Sequence, residues 1–125
     1  QRLAQADPSN AVWQRDLSVS QERVGNVLRG QGDLAAALVA YRESLQVSQR
    51  LAQADPSNAG WQRDLSFTLT VLAQTLEGRG DRTEALRLAQ ESLTIDERLA
   101  TLDRSNAVWQ RDLRASLALV ARLRD

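Results

Sequence analysis

Apolar residues recur at steps of three and four along three stretches of the chain, and each stretch opens on a tryptophan. Steps of this size place the residues on one face of an α-helix, so each stretch is predicted to be an amphipathic helix. The apolar positions are Trp13, Leu17, Val24 and Leu28 in the first stretch, Trp61, Leu65, Leu69, Leu72 and Leu76 in the second, and Trp109, Leu113, Leu117 and Val120 in the third.

Residues suited to starting and stopping helices stand at the ends of these stretches. Asn10, Asn58 and Asn106 each precede a tryptophan by three residues. An asparagine there accepts a hydrogen bond from the first helical turn, so we expect each to be an N-cap. Asp55-Pro56 is expected to close the helix before it, because proline cannot continue a helix.

Glycines interrupt the pattern after the first and second stretches, in Gly30-x-Gly32-Asp33 and Gly78-x-Gly80-Asp81. Glycine there supplies the left-handed residue that ends a helix, and the aspartate after it caps another. Asp81-Arg-Thr-Glu84 is further expected to form a capping box.

A second helix is therefore predicted between the tryptophan stretches. Its apolar positions are Leu34, Ala37, Leu38, Tyr41, Leu45 and Leu51 in one case and Ala85, Leu86, Ala89, Leu93 and Leu99 in the other. We call the tryptophan helix of each unit helix A and the second one helix B. No stretch alternates apolar and polar residues as a strand would, so the prediction is all-α, with antiparallel helix pairs of about 20 residues, or about 30 Å, per helix.

The units are copies of one repeat. Trp13, Trp61 and Trp109 are 48 residues apart, and residues 2–49 align without gaps to residues 50–97 with 25 identities in 48 positions. A third, partial copy occupies residues 98–125. Residues 1–125 are therefore expected to form a single repeat array, which we interpret as a fragment of a longer protein.

Composition narrows the chemistry available to the array. The chain has no His, Cys or Met, and its 16 basic residues are all Arg, balanced by 16 acidic ones. The usual general bases, thiol nucleophiles and zinc ligands are absent, so we expect no catalytic residue, cofactor or metal site and no enzymatic activity. Zero net charge argues against nucleic acid as the partner, although an RNA-binding helical repeat is a distant alternative. No apolar run could span a membrane, and the lack of cysteine fits a cytoplasmic location.

Several positions of the repeat match a known signature. Val24-Gly25-x-x-Leu28, Gly32-Asp33, Ala37 and Tyr41 resemble the tetratricopeptide repeat (TPR) pattern, and the second copy follows it less closely. The period of 48 exceeds the usual value of about 34. We attribute the difference to about one extra heptad in each helix, a length of insertion that nearly preserves the buried face. The Trp-Gln-Arg-Asp-Leu block belongs to this extension, and the preference for Arg over Lys suggests a bacterial variant.

The resemblance implies a right-handed α-solenoid whose A helices line a concave surface that binds a protein or peptide. The chain would then act as a protein–protein interaction scaffold or a sensing module. The partner-binding positions that we predict for that surface are Arg15, Asn26, Arg63, Phe67, Gln74, Arg111 and Arg122.

The row formed by Arg15, Arg63 and Arg111 has two interpretations, because an aspartate follows each arginine. The arginines could hold an extended peptide by bidentate hydrogen bonds. Alternatively, each arginine pairs with the aspartate of the adjacent repeat in a structural ladder. The repetition of both partners favours the ladder.

The aromatic residues also have two interpretations. The tryptophans could stack on a ligand, but their place on the apolar stripe favours a core role. Phe67 replaces Val19 of the first copy on the A-helix surface and is the only Phe in the chain. It is expected either to anchor a partner or to pack against the neighbouring A helix.

Self-assembly through the repeat ends is the alternative function. Leu113, Leu117, Val120 and Leu123 of the last helix are expected to lack part of their partner surface. Two-fold pairing of such terminal helices would give a homodimer.

Overall fold

A computed structural model of the chain describes residues 8–125, and every regular element in that range is an α-helix. The five helices are α1 (Pro8–Gly30), α2 (Leu34–Ala54), α3 (Ala59–Gly78), α4 (Arg82–Leu102) and α5 (Ala107–Arg124). Each helix packs against the next one in the chain. Helices α1, α3 and α5 are the A helices and α2 and α4 the B helices, so the all-α prediction of repeated helix pairs is confirmed.

The A-to-B turns have the geometry that their glycines predict. Gly32 and Gly80 adopt φ values of 84° and 88°, in the left-handed region that suits a residue without Cβ. The following N–H groups of Asp33 and Asp81 donate to the carbonyls of Leu28 and Leu76, both at 2.9 Å. These bonds satisfy carbonyls at the helix end and reverse the chain into helix B.

The two aspartates that follow these turns differ in what their side chains do. Asp33 accepts a hydrogen bond from the Ala36 N–H at 3.1 Å, as expected for an N-cap. Asp81 occupies the N-cap position of α4 but makes no side-chain capping bond. Glu84 instead binds the Arg87 guanidinium at 2.6 and 2.8 Å. The predicted capping box is therefore wrong, because a charged partner one turn further along holds the glutamate.

The predicted asparagine caps are correct in two of three copies. Asn58 and Asn106 accept from the N–H groups of Trp61 and Trp109, both at 3.0 Å. Asn10 is not an N-cap, because it lies inside α1, which the structure describes from Pro8 onward.

A continuous apolar core joins α2, α3, α4 and α5. Its buried members are Ala37, Leu38, Tyr41, Leu69, Val71, Leu72, Ala73, Leu76, Ala85, Leu88, Ala89, Ile95, Leu99, Leu119, Val120 and Leu123. The fully buried Tyr41 ring lies against Gly25 of α1, where an added Cβ would come within 2.5 Å of Tyr41 Cε1. In the second copy Ala73 and Ala89 occupy these two positions, so a large–small pair has been exchanged for a small–small pair.

The three tryptophans are not equally buried. Trp61 packs against Ala11, Val47 and Leu51, and Trp109 packs against the main core. Trp13 is 63% exposed, so a core role is wrong for this residue. The surface that covers Trp61 belongs to the preceding copy, and no described residue occupies the corresponding place beside Trp13.

The end of α5 is better covered than the sequence suggests. Val120 and Leu123 are buried in the core, whereas Leu117 remains 47% exposed. The Arg82 guanidinium donates to the carbonyls of Leu123, Arg122 and Asp125 at 2.7–2.9 Å and so satisfies the last turn of α5. The expectation of an unpartnered apolar face is therefore wrong for Val120 and Leu123.

Candidate partner-binding face

The A helices are joined by two equivalent ion pairs. Arg15 Nε lies 2.7 Å from Asp64 Oδ2, and Arg63 Nε lies 2.7 Å from Asp112 Oδ2. In both pairs Nη2 reaches the second carboxylate oxygen at 3.4 Å. Each arginine thus binds the aspartate of the following copy, as the ladder interpretation requires. Because the pairs are partly exposed, each stabilises the fold by only about 0–1 kcal/mol.

The other two predicted arginines have different surroundings. Arg122 on α5 binds Glu77 on α3 through Nη2 and Nε, at 2.7 and 3.1 Å. This contact lowers the pKa of the Glu77 carboxyl, mainly through the hydrogen bond from Arg122. Arg111 is exposed and makes no ion pair within residues 8–125. We call the surface formed by α1, α3 and α5 the A-helix face.

Among the described residues, a cavity of the A-helix face lies at each junction between neighbouring A helices. The first has a volume of about 220 Å³ and is lined by Arg15, Ser18, Val19, Glu22, Ser48, Leu51, Trp61, Arg63, Asp64, Phe67 and Thr68. The second has a volume of about 190 Å³ and is lined by Arg63, Ser66, Phe67, Thr70, Asp96, Asp112, Ala115 and Ser116. Every residue that lines the second cavity lies 48 positions after one that lines the first, so the cavities are repeats of one site.

The polar floor of each cavity comes from helix B as well as helix A. Ser18 Oγ lies 2.8 Å from Ser44 Oγ and 3.0 Å from Ser48 Oγ. In the next copy Ser66 Oγ donates to the Asp96 carboxylate at 2.6 Å. The replacement of Ser48 by Asp96 therefore places a carboxylate where the first copy has a hydroxyl.

Each cavity has one carboxyl beyond its arginine–aspartate pair. In the first cavity this is Glu22, which accepts from Thr68 Oγ1 at 3.3 Å. In the second it is Asp96, which is 4% exposed and accepts from Ser66 and Ser116. Burial raises the pKa of both carboxyls, because removal from water disfavours the charged form. Neither carboxyl makes an ion pair with a described residue.

Phe67 separates the two cavities. Its side chain is 51% exposed and lines both of them. The ring is thus neither buried in the core nor isolated on the surface. Phe67, Arg15 and Arg63 are three of the seven predicted partner-binding positions, and all three line this continuous site.

Asn26 and Gln74 lie outside the cavities. Asn26 on α1 is exposed, and its Oδ1 accepts a hydrogen bond from the Tyr41 hydroxyl at 2.5 Å. Gln74 is half-buried on α3. The structure therefore does not bring these two residues together with Phe67.

A family model described as tetratricopeptide repeat matches residues 19–57 and 68–100, which together are more than half of the chain. The chain belongs to the tetratricopeptide repeat family. TPR units typically mediate protein–protein contacts and act as scaffolds rather than catalysts. Neither matched stretch contains the Trp-Gln-Arg-Asp-Leu block, so the TPR match leaves out the segment that carries the ion-pair ladder. No curated protein matches the chain.

Sequence reasoning missed the helix B contribution to this TPR face. Ser48 and Asp96 were not among the predicted positions, although both line cavities between A helices. Comparison of the copies contains the signal, because serine at position 48 becomes aspartate at 96 while glutamate at 22 becomes threonine at 70.

Within the part of the chain that the structure describes, none of the helices has the length and apolar character needed to span a membrane.

Proposed function

We propose that this TPR array is a non-catalytic interaction module that binds an extended segment of a partner protein across the A-helix face. The observation that carries the proposal is Phe67, a half-exposed aromatic ring between two repeat-related cavities. Aromatic residues that are partly desolvated at the centre of a contact surface dominate binding energies in many interfaces. Phe67 is accordingly the anchor, and the cavities on either side receive partner side chains.

The ion-pair ladder supports the same proposal. Arg15 and Arg63 use Nε and Nη2 for their aspartates, and Nη1 of each makes no hydrogen bond with a described residue. An Nη1 group on each arginine is thus free to donate to a backbone carbonyl of the partner. The ladder holds the two guanidinium groups in position, so the structural and binding interpretations of the row are compatible.

Selection of peptides from a random library displayed on phage tests the proposal. The selected peptides are measured against the wild-type chain, Phe67→Ala and Val39→Ala. Val39 is a matched control, because it is 59% exposed on α2 and lines neither cavity. We expect Phe67→Ala to weaken binding by roughly tenfold or more and Val39→Ala to leave it unchanged. Equal effects of the two substitutions, or no binding peptides at all, would contradict the proposal.

Self-association is a second candidate function, because α1 presents an exposed apolar face. Val24 and Val27 are 49% and 59% exposed, whereas the equivalent residues of the second copy, Leu72 and Thr75, are buried. A second copy of the chain is a suitable cover for this face. Light scattering over a concentration series would then approach twice the 13.9 kDa mass of the chain. Val24→Asp should prevent that rise, and a constant monomer mass for the wild type would exclude self-association.

A further inference from the structure

We infer that the partner segment carries two basic side chains, one entering each of the cavities that flank Phe67. This inference rests on the function proposed above and specifies the chemistry of the partner. It depends on the charges inside the cavities, on their walls and on the distance between them.

The charges of the two cavities do not balance. Together they contain two arginine–aspartate pairs, Arg15–Asp64 and Arg63–Asp112, and one further carboxyl each. Arg63 lines both cavities, but its ion-pair partner Asp112 lines the second. With all groups ionised the two cavities therefore carry two negative charges in excess. The whole chain has zero net charge, so this excess is a property of the cavity linings and not of the chain as a whole.

The two extra carboxyls are desolvated and have no cationic partner of their own. Glu22 is half-buried beside Arg15, Asp64 and Thr68. Arg15 and Asp64 already form an ion pair with each other. A buried carboxylate is costly unless it is paired with a cation. A lysine or arginine of the partner would supply that cation at each cavity.

Asp96 has the same electrostatic surroundings in the second cavity. The charged groups that face it are Arg63 of α3 and Asp112 of α5, which form an ion pair with each other. Because both Asp96 oxygens accept hydrogen bonds from serines, its charge acts mainly through the local field, whereas Glu22 is available for direct contact. We therefore expect a larger effect from Glu22 than from Asp96.

The cavity walls suit the rest of a basic side chain. Val19, Leu51, Trp61 and Phe67 form apolar and aromatic surface in the first cavity, and Phe67 and Ala115 do so in the second. Long basic side chains bury their methylene stems on such surfaces while the charged end reaches a carboxylate. A cation beside the Phe67 ring also gains from the negative face of the π-system.

The spacing of the cavities restricts the partner sequence. A helix with its side chains is about 10 Å across, and the two cavities lie on either side of α3, so they are about one helix diameter apart. A polyproline II segment rises about 3.1 Å per residue with three residues per turn, so residues i and i+3 point the same way about 9 Å apart. The pattern that fits is a basic residue, two others and a second basic residue.

The decisive experiment compares synthetic peptides that differ only in charge. The probe is Gly-Pro-Arg-Pro-Pro-Arg-Pro-Gly, with a fluorescent label for anisotropy titrations against the full chain. In the control peptides citrulline, which is nearly isosteric with arginine and uncharged, replaces one or both arginines. We expect replacement of both arginines to weaken binding by roughly tenfold or more, mainly through loss of a charge-assisted hydrogen bond at Glu22, and replacement of one arginine to weaken it by a smaller factor. Equal affinities for the charged and uncharged peptides would overturn the inference.

Variants of the chain locate the effect. Glu22→Gln should remove most of the preference for arginine over citrulline, and Asp96→Asn should reduce it by a smaller factor. Glu43→Gln is the matched control, because it removes the same charge from an exposed position of α2 that lines neither cavity. Denaturation midpoints of all variants establish that the fold is retained. An equal loss for Glu43→Gln and Glu22→Gln would overturn the inference, since it would indicate a nonspecific field.

The same titrations separate this inference from the proposed function. Peptides selected on phage that depend on Phe67 but show no enrichment of lysine or arginine would overturn the inference and leave the proposed function standing. Absence of any ligand that depends on Phe67 would overturn both. Enrichment of two basic residues three positions apart, with loss of binding in Phe67→Ala and Glu22→Gln, would support both.

Discussion

The contact between Gly25 and Tyr41 predicts an unusual response to the substitution Gly25→Ala. In an unobstructed helix interior, alanine is more favourable than glycine by roughly 0.5–1 kcal/mol. Here the new Cβ would lie 2.5, 2.7 and 2.9 Å from Cε1, Cδ1 and Cζ of Tyr41, far inside contact distance. The ring is fully buried, and its hydroxyl donates a hydrogen bond to Asn26 Oδ1. A movement of the ring away from the new methyl group would therefore disturb the core packing and this hydrogen bond.

Overpacking of this kind costs about 1–3 kcal/mol, which exceeds the gain in helix propensity. Gly25→Ala should therefore destabilise the chain by roughly 1–2 kcal/mol. Tyr41→Ala alone should cost about 3–5 kcal/mol, as for other large buried aromatic residues. Once the ring is gone the added methyl has space, and the double variant reproduces the Ala73 and Ala89 pair of the second copy. Gly25→Ala in the Tyr41→Ala background should then be neutral or stabilising by up to about 1 kcal/mol.

A double-mutant cycle measured by urea denaturation tests this reasoning. The two substitutions should couple by about 1–3 kcal/mol, with unchanged m-values. Ala73→Gly is the control in the second copy, where Ala89 leaves no ring in contact, and it should cost about 1 kcal/mol. The reasoning is refuted if Gly25→Ala alone raises stability or if the two effects are additive within about 0.3 kcal/mol.

Three further predictions follow from burial and charge. Trp61→Ala should lower the free energy of unfolding by roughly 2–4 kcal/mol, whereas alanine at the exposed Trp13 should change it by less than about 0.5 kcal/mol, as urea denaturation of the two variants will show. Arg63→Ala and Asp112→Ala should couple by up to about 1 kcal/mol, and the coupling should shrink as salt is added; strict additivity would exclude an energetic role for the ladder. Because burial raises the folded-state pKa of Asp96, ionisation of this carboxyl opposes folding above its unfolded pKa of about 3.9. Asp96→Asn should thus gain stability relative to the wild type as pH rises from 4 to 7, and a pH-independent difference would contradict the assigned pKa direction.

The sequence by itself determined the elements and their order. Helix periods, the left-handed glycines at 32 and 80 and the caps at Asn58 and Asn106 depend on groups within about four residues of each other in the chain. Interactions of that range are encoded locally and repeat with the sequence. The 48-residue period of the sequence then showed that the helix pairs are copies of one unit, and the TPR signature indicated the family.

Local signals failed where two groups compete for the same partner. Glu84 was free to complete a capping box on the sequence alone, but Arg87 lies one turn further along and binds it with a full charge. The prediction that Trp13 is buried is wrong for another reason. The apolar stripe indicates which face of a helix is suited to burial, but a neighbouring helix must supply the cover, and for Trp61 that cover is Val47 and Leu51 of the preceding copy.

Only the tertiary structure decided how the candidate site is assembled. The row of arginines could be anticipated, because its members belong to A helices with one repeating face, whereas the sequence left open whether Phe67 anchors a partner or packs against the neighbouring A helix. The direction of the ladder, with each arginine binding the aspartate of the following copy rather than that of the preceding copy, depends on how successive repeats are offset. Asp96 reaches the second cavity from α4, and no spacing within one helix predicts that a B-helix residue lies at the junction of two A helices. Packing between helices sets these distances, and it is fixed by the fit of side chains that lie tens of residues apart in the chain.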